Sequence, residues 1–223
     1  SDAKLEASLA MAHLGWAARN AKKYLGTERR NPGLLMFNMG AQVAHKPYGV
    51  VGVIGPWNYP FQLLINPLIG AIAAGNCVVL KPSEFAGATA SVMKKIIEES
   101  FASNYVLYVE GDGATVIAAM MNDFRFNHVF YTGSTVVGRL IYKMAADKLV
   151  PVTLELGGKS PCVIESDANL KVAARRIAIT KFSNCGQMCV APDYVLVHSS
   201  VREKFIEELK KTIAQFFSDD AAT

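Results

Sequence analysis

Between Tyr48 and Leu80 the chain carries no charged residue. Gly49, Gly52, Gly55, Pro56, Pro60 and Pro67, with Asn58, Asn66 and Asn76, interrupt that stretch. It therefore lacks the roughly 20 continuous apolar residues that a spanning helix requires. A buried strand, a turn and a buried helix account for it better. The same alternation continues downstream. Strands are expected at Val50–Ile54, Cys77–Leu80, Tyr105–Val109 and His128–Tyr131. Helices are expected at Phe61–Ala74, which Gly75-Asn76 would stop, at Ala86–Phe101, near 113–121, and at Thr135–Ala146. Strands rich in Val and Ile without polar alternation are buried on both faces. Alternating with helices, they imply a parallel sheet of right-handed βαβ units.

On either side the pattern differs. Residues 2–24 read as an amphipathic helix, with Leu5, Leu9, Ala12 and Trp16 as its apolar stripe. Residues 26–40 are polar and contain Gly and Pro, so they read as a connection. After position 150 come short strands at Pro151–Leu156 and Pro161–Glu165. A helix over Leu170–Asn184, a strand over Tyr194–His198 and an amphipathic helix over Arg202–Phe217 follow. A domain boundary is placed near 156–158, where Gly157-Gly158 break the pattern. The fold class is α/β: an open parallel, Rossmann-like sheet flanked by helices (residues 1–156), then the start of a second α/β domain (157–223).

Composition narrows the function classes. The 223 residues are 51% hydrophobic and 19% charged, which is globular rather than disordered. The net charge of +4 is interspersed, with no Lys/Arg run that would track nucleic acid. The N-terminal Ser1-Asp2-Ala3-Lys4-Leu5-Glu6 is charged and helical, unlike a signal peptide. Cys77, Cys162, Cys185 and Cys189 form no paired Cys-x-x-Cys framework, and the four histidines are scattered, so no metal site is expected. This cysteine usage suits a reducing compartment.

Ligands of an open parallel sheet bind beyond the carboxyl ends of its strands. Pro56-Trp57-Asn58-Tyr59-Pro60 follows the first strand, Lys81-Pro82-Ser83-Glu84 the second, and Thr132-Gly133-Ser134-Thr135 the fourth. Gly133-Ser134 at a helix start suits a phosphate, or Ser134 is simply an N-cap. Lys81 and Glu84 could clasp a ribose or form a surface ion pair. No G-x-G-x-x-G follows the first strand, so an ordinary dinucleotide fingerprint is absent. Leu154-Glu155-Leu156-Gly157-Gly158-Lys159 and Asn184-Cys185-Gly186-Gln187-Met188-Cys189 add a carboxylate and a thiol. A thiol that attacks a carbon and a carboxylate that activates water are two parts of covalent carbonyl chemistry.

Together, and in this order, these five motifs resemble the aldehyde dehydrogenases. With Cys189-Val190-Ala191-Pro192-Asp193-Tyr194, the resemblance is strongest to the class 3 and fatty-aldehyde branch, and coniferyl-aldehyde types are similar to it as well. The resemblance implies that Cys189 is the nucleophile, that Glu155 activates the hydrolytic water, and that Asn58 with the Cys189 N–H forms the oxyanion hole. It implies that Lys81 and Glu84 hold the adenosine ribose and Gly133-Ser134 the pyrophosphate. Trp57, Ser83 and Leu156 fall among the cofactor-binding positions. NAD is the expected cofactor, because Glu84 repels a 2′-phosphate, with NADP also acceptable. The substrate would be a small-molecule aldehyde, with no nucleic-acid partner and a homo-oligomer as the full-length form. The location expected is cytoplasmic, unless missing termini carry an anchor or targeting signal.

Relatives of this kind run to about twice the length, and a Glu-x-Phe-Gly-Pro motif for the nicotinamide ribose is missing here. The chain is thus expected to be a fragment or to need a complementing half, leaving exposed strand edges after position 156. Three functions compete: aldehyde oxidation, a truncated nucleotide- or partner-binding module, and an esterase using the same thiol. Cys185 stands four residues before Cys189. It is either a small packing residue or, if the segment is helical, a disulfide partner for the nucleophile.

Overall fold

The structure is a computed structural model and describes residues 2–217. It divides into two compact units, Ala3–Glu155 and the residues from Leu156 onward. Each is described by itself.

The first unit begins with helix α1, Asp2–Tyr24. The helix is as expected, but its buried face is not. Leu5, Leu9 and Trp16 are exposed, as is Ala12, whereas Glu6, Ala10 and Ala17 are buried. The large apolar residues face outward because the buried stripe is built from small residues and one carboxylate, which hydrophobicity alone does not mark. The expected plain connection over 26–40 is also corrected. Strands β1, Glu28–Arg30, and β2, Ala41–Val43, pair antiparallel. Their three residues each are too short and too polar to show a period of two. Between them lies a 3₁₀ turn at Leu34–Met36.

The rest of the unit is a five-stranded parallel sheet. It contains β3, Val50–Ile54; β4, Cys77–Lys81; β5, Val106–Tyr108; β6, His128–Thr132; and β7, Val152–Glu155. The spatial order is β5-β4-β3-β6-β7. Register is fixed by pairs such as Val53↔Leu80, Gly52↔Val129 and Tyr131↔Leu154. Helices α2, Gln62–Ala73, and α3, Gly87–Ser100, share one core cluster with the strands: Val51, Val53, Val78, Leu80 and Val106 against Leu64, Leu68, Met93 and Ile97. Burying each such side chain contributes roughly 1.5–3 kcal/mol. Helices α4, Gly113–Asp123, and α5, Thr135–Ala146, complete the crossovers. Strand order reverses direction between β3 and β6, so the crevice for a ligand lies beyond their carboxyl ends.

The second unit pairs β8, Ser160–Ile164, in parallel with β9, Pro192–Val197, with a bulge at Ser160/Pro161. Helices α6, Leu170–Phe182, and α7, Arg202–Phe217, cover one side. Ile164, Ala174, Ile177 and Phe205 form the core. Val163 and Leu196 are exposed on this two-stranded sheet. Helix α6 ends two residues earlier than expected. Asn184 and Cys185 take left-handed backbone angles (φ 48° and 54°), which an α-helix cannot continue through. No helix among the described residues is long and apolar enough to cross a membrane.

Candidate active site

In the first unit the carboxyl edge of the sheet carries three loops. The loop after β3, Gly55–Pro60, is tied back to the sheet by the Gly55 N–H, which donates to the Lys81 carbonyl at 3.0 Å. A β-carbon at Gly55 would stand 2.9 Å from the Leu64 side chain, so glycine lets the loop lie against α2. Trp57 is half exposed and Asn58 half-buried. The loop leads into α2, which has no cap from its own side chains. Instead Glu6 of α1 accepts hydrogen bonds from the Phe61 and Gln62 N–H groups, both at 2.8 Å.

The loop after β4 holds Lys81, Ser83 and Glu84 together. The Lys81 side chain is 2% exposed, so it is not part of a surface ion pair. Its ammonium donates to the Pro82 carbonyl at 2.9 Å and to Glu84 Oε2 at 2.8 Å. The other Glu84 oxygen accepts from the Gly113 N–H at the start of α4, also at 2.8 Å. Ser83 is buried and accepts from the Phe85 N–H, capping a 3₁₀ turn over Glu84–Ala86. Partial burial opposes ionisation of Glu84. Hydrogen bonds from Lys81, from its own N–H and from Gly113, together with the Lys81 charge, nevertheless hold it below the ordinary glutamate value. Gly113 also has a steric reason to be glycine, since its β-carbon would stand 2.8 Å from Glu84 Oε1.

The third loop follows β6. Ser134 is the N-cap of α5, accepting from the Val137 N–H at 3.3 Å. The capping alternative is therefore realised, and it leaves the other first-turn N–H groups of α5 available to an anion. The Tyr131 hydroxyl donates to the Ser134 carbonyl at 3.3 Å. Its ring lies so close that a β-carbon on Gly133 would stand 2.7 Å from Tyr131 Cζ and nearer still to the hydroxyl. Gly133 also donates to the carbonyl of Glu155 at 3.0 Å. The Glu155 side chain is exposed at the end of β7, so it is not a buried structural acid.

In the second unit Cys189 is exposed in a turn that follows a 3₁₀ segment over Ser183–Gly186, not at a helix start. Asn184, Cys185 and Gly186 all have positive φ, a rare run that turns the chain sharply. The Asn184 carbonyl accepts from both the backbone and the side chain of Gln187, at 3.0 and 3.1 Å. Cys185 is exposed, which removes the packing reading, and the segment is not α-helical, which removes the premise of the disulfide reading. Gly158 lies against the Cys189 peptide. A β-carbon there would collide with the Cys189 carbonyl oxygen. Lys159 pairs with Asp193 at 3.3 Å across the same β8–β9 start.

Within the first unit, then, Lys81 and Glu84 meet directly, Ser83 caps the turn between them and Phe85, and Gly133 and Glu155 share a backbone hydrogen bond. Trp57 and Asn58 occupy the neighbouring loop. Leu156 and Cys189 belong to the second unit. Sequence reasoning did not mark Glu6, Gly113 or Tyr131. Asp112-Gly113 at a helix start was a readable N-cap signal, and Asp112 does cap α4 through Thr115. Tyr131 was expected only as the last residue of a strand, directly before the Thr132-Gly133-Ser134-Thr135 motif. For Glu6 no local signal exists. Among the described residues no group of three His, Cys, Asp or Glu side chains could hold a metal ion.

A family model described as the aldehyde dehydrogenase family matches residues 1–222. The chain belongs to that family. It is 43% identical over 215 residues to the 4,4′-diaponeurosporen-aldehyde dehydrogenase of Staphylococcus aureus, covering 96% of this chain and 46% of that protein. It is 50% identical over 176 residues to the dimeric NADP-preferring aldehyde dehydrogenase of Rattus norvegicus, covering 79% and 38%. The substrate-bound state of Staphylococcus aureus AldH matches with a TM-score of 0.91 and 42% identity, covering 97% of this chain and 47% of that one. This aldehyde dehydrogenase chain thus spans about half the length of the relatives it matches.

Proposed function

We propose that residues 1–156 form a dinucleotide-binding domain and residues 157–223 the first part of a catalytic domain, serving NAD(P)-dependent oxidation of an aldehyde to a carboxylic acid. The observation that carries the reading is Cys189, exposed on the turn that follows the left-handed Asn184–Gly186 segment, with its own carbonyl packed against Gly158. Strained backbone concentrates where a fixed geometry serves chemistry.

The residues divide the work. The Cys189 thiolate adds to the aldehyde carbon, and the Asn58 amide with the Cys189 N–H stabilises the oxyanion that forms. Losing one such donor costs about 3–4 kcal/mol in the barrier. The nicotinamide ring, when bound, supplies the acceptor for hydride. Glu155 takes a proton from water, the resulting hydroxide adds to the Cys189 thioester, and the thiolate leaves as the carboxylic acid forms.

The residues at the sheet edge fit a dinucleotide. Lys81 and Glu84 would hold the adenosine ribose beside Ser83, Gly133 and Ser134 the pyrophosphate, while Trp57 and Leu156 would line the cofactor site. The negative Glu84 favours NAD, whereas the adjacent Lys81 leaves NADP acceptable.

The test is NADH or NADPH formation by the purified chain with an aliphatic and an aromatic aldehyde, beside Cys189→Ser. Turnover that Cys189→Ser reduces at least about 10³-fold is expected. Turnover that survives the substitution overturns the assignment of Cys189. A second reading, dinucleotide binding without turnover, draws support from the first unit. That unit alone carries the whole carboxyl edge of the sheet. Calorimetric binding of NAD with no aldehyde-dependent reduction would select it.

A further inference from the structure

We infer that Glu6 is a positioning residue for Asn58, an inference that rests on Asn58 serving as the oxyanion donor proposed above. Helix α2 begins at Gln62 with Phe61 as N-cap, no side-chain cap and no acidic residue in its first turn. Its first N–H groups would otherwise lack partners. Glu6, more than fifty residues earlier on α1, takes the N–H groups of Phe61 and Gln62 on one oxygen at 2.8 Å each. Glu6 is 8% exposed. A carboxylate in so dry a place is stable there because it accepts charge-assisted bonds and faces the positive end of the helix dipole.

Asn58 lies three residues before the first of those N–H groups. Its loop is thereby held at both ends. At one end the Gly55 N–H is bonded to the Lys81 carbonyl on the sheet, and at the other Phe61 and Gln62 are bonded to α1. Pro56 and Pro60 stiffen the span between these anchors. An oxyanion donor must be held within about 0.5 Å of its productive position. Displacement by about 1 Å can cost about 10²-fold in rate. Glu6 touches no reacting atom and acts through the start of α2.

The experiment compares the purified chain with Glu6→Ala, Glu6→Gln, Asn58→Ala and the double variant Glu6→Ala/Asn58→Ala. Glu6→Ala is expected to lower kcat about 10- to 100-fold, while the NAD dissociation constant by calorimetry changes less than about 5-fold, because of the cofactor-site residues only Trp57 shares the Asn58 loop and Lys81, Glu84, Gly133 and Ser134 are untouched. Glu6→Gln, whose amide oxygen still accepts both N–H groups, is expected to restore the rate to within about 3-fold. The double variant is expected to be no slower than Asn58→Ala alone, the signature of residues acting as one unit. Losses that multiply in the double variant, or a Glu6→Gln as slow as Glu6→Ala, overturn the inference. If Glu6→Ala does not fold, Glu6→Asp, which withdraws the carboxylate by one carbon, takes its place. If the unmodified chain reduces no NAD, the catalytic reading has failed, and nuclear magnetic resonance decides the positioning alone. The Asn58 side-chain amide signals should then shift on Glu6→Ala together with the Phe61 and Gln62 amides, and stay near their parent positions in Glu6→Gln. Asn58 signals unmoved while the other two shift overturn the inference.

Discussion

Gly158 has no room for a β-carbon, and the atom it would strike is the carbonyl oxygen of Cys189. Replacing Gly158 by Ala should push the Cys189 peptide aside. We expect aldehyde oxidation to fall at least about 100-fold, with iodoacetamide still alkylating the exposed thiol. Glu84 permits a prediction with a defined sign. Its carboxyl sits below the ordinary value of 4.5 in the folded chain. Its contribution to stability is therefore complete above about pH 4.5 and disappears as the pH falls through the lower folded-state value. Glu84→Gln should lower the thermal midpoint by about 2–4 °C at pH 7, because it weakens the bond to the buried Lys81 ammonium. The gap between variant and parent should narrow steadily as the pH falls below about 4.5. A gap that persists in acid would mean that Glu84 does not act through its charge.

At the scale of elements, the turn between α6 and β9 stores strain. A left-handed residue other than glycine costs about 1–2 kcal/mol, and Cys185 is one. Cys185→Gly should raise stability to urea by up to about 1 kcal/mol, the relief of left-handed strain exceeding the added freedom of the unfolded chain, and a destabilised variant would show that the turn is not strained. The β6–α5 turn behaves in the opposite way. Gly133→Ala would drive a methyl group into the Tyr131 ring, so NAD binding should weaken at least about 10-fold by calorimetry. The elements of the parallel sheet were readable because buried β-branched runs alternating with helices have few other solutions. The β1–β2 pair was not, since six mostly polar residues carry no period. The outward-facing stripe of α1 was misread because the periodicity is real while the assumption that large apolar residues face inward failed there. Lys81 and Glu84 were legible as a pair from their spacing. The burial of Lys81 and the hold of Gly113 on Glu84 follow from tertiary packing, which spacing does not encode.

For the whole molecule, surface chemistry has practical weight. Val163 and Leu196 are exposed on the two-stranded sheet of the second unit, and Leu34, Leu35 and Phe37 are exposed between β1 and β2. Open apolar faces and unpaired edges promote self-association. Light scattering should rise with concentration, and Leu196→Lys should reduce it without lowering the thermal midpoint by more than about 2 °C. The contact between Gly158 and Cys189 also limits how this chain can be recombined with its relatives. The stretch around residues 183–191 and the stretch around 156–159 have shapes that presuppose each other. A chimaera that exchanges one should carry the other along, and a crossover placed between them joins two halves fitted to different partners.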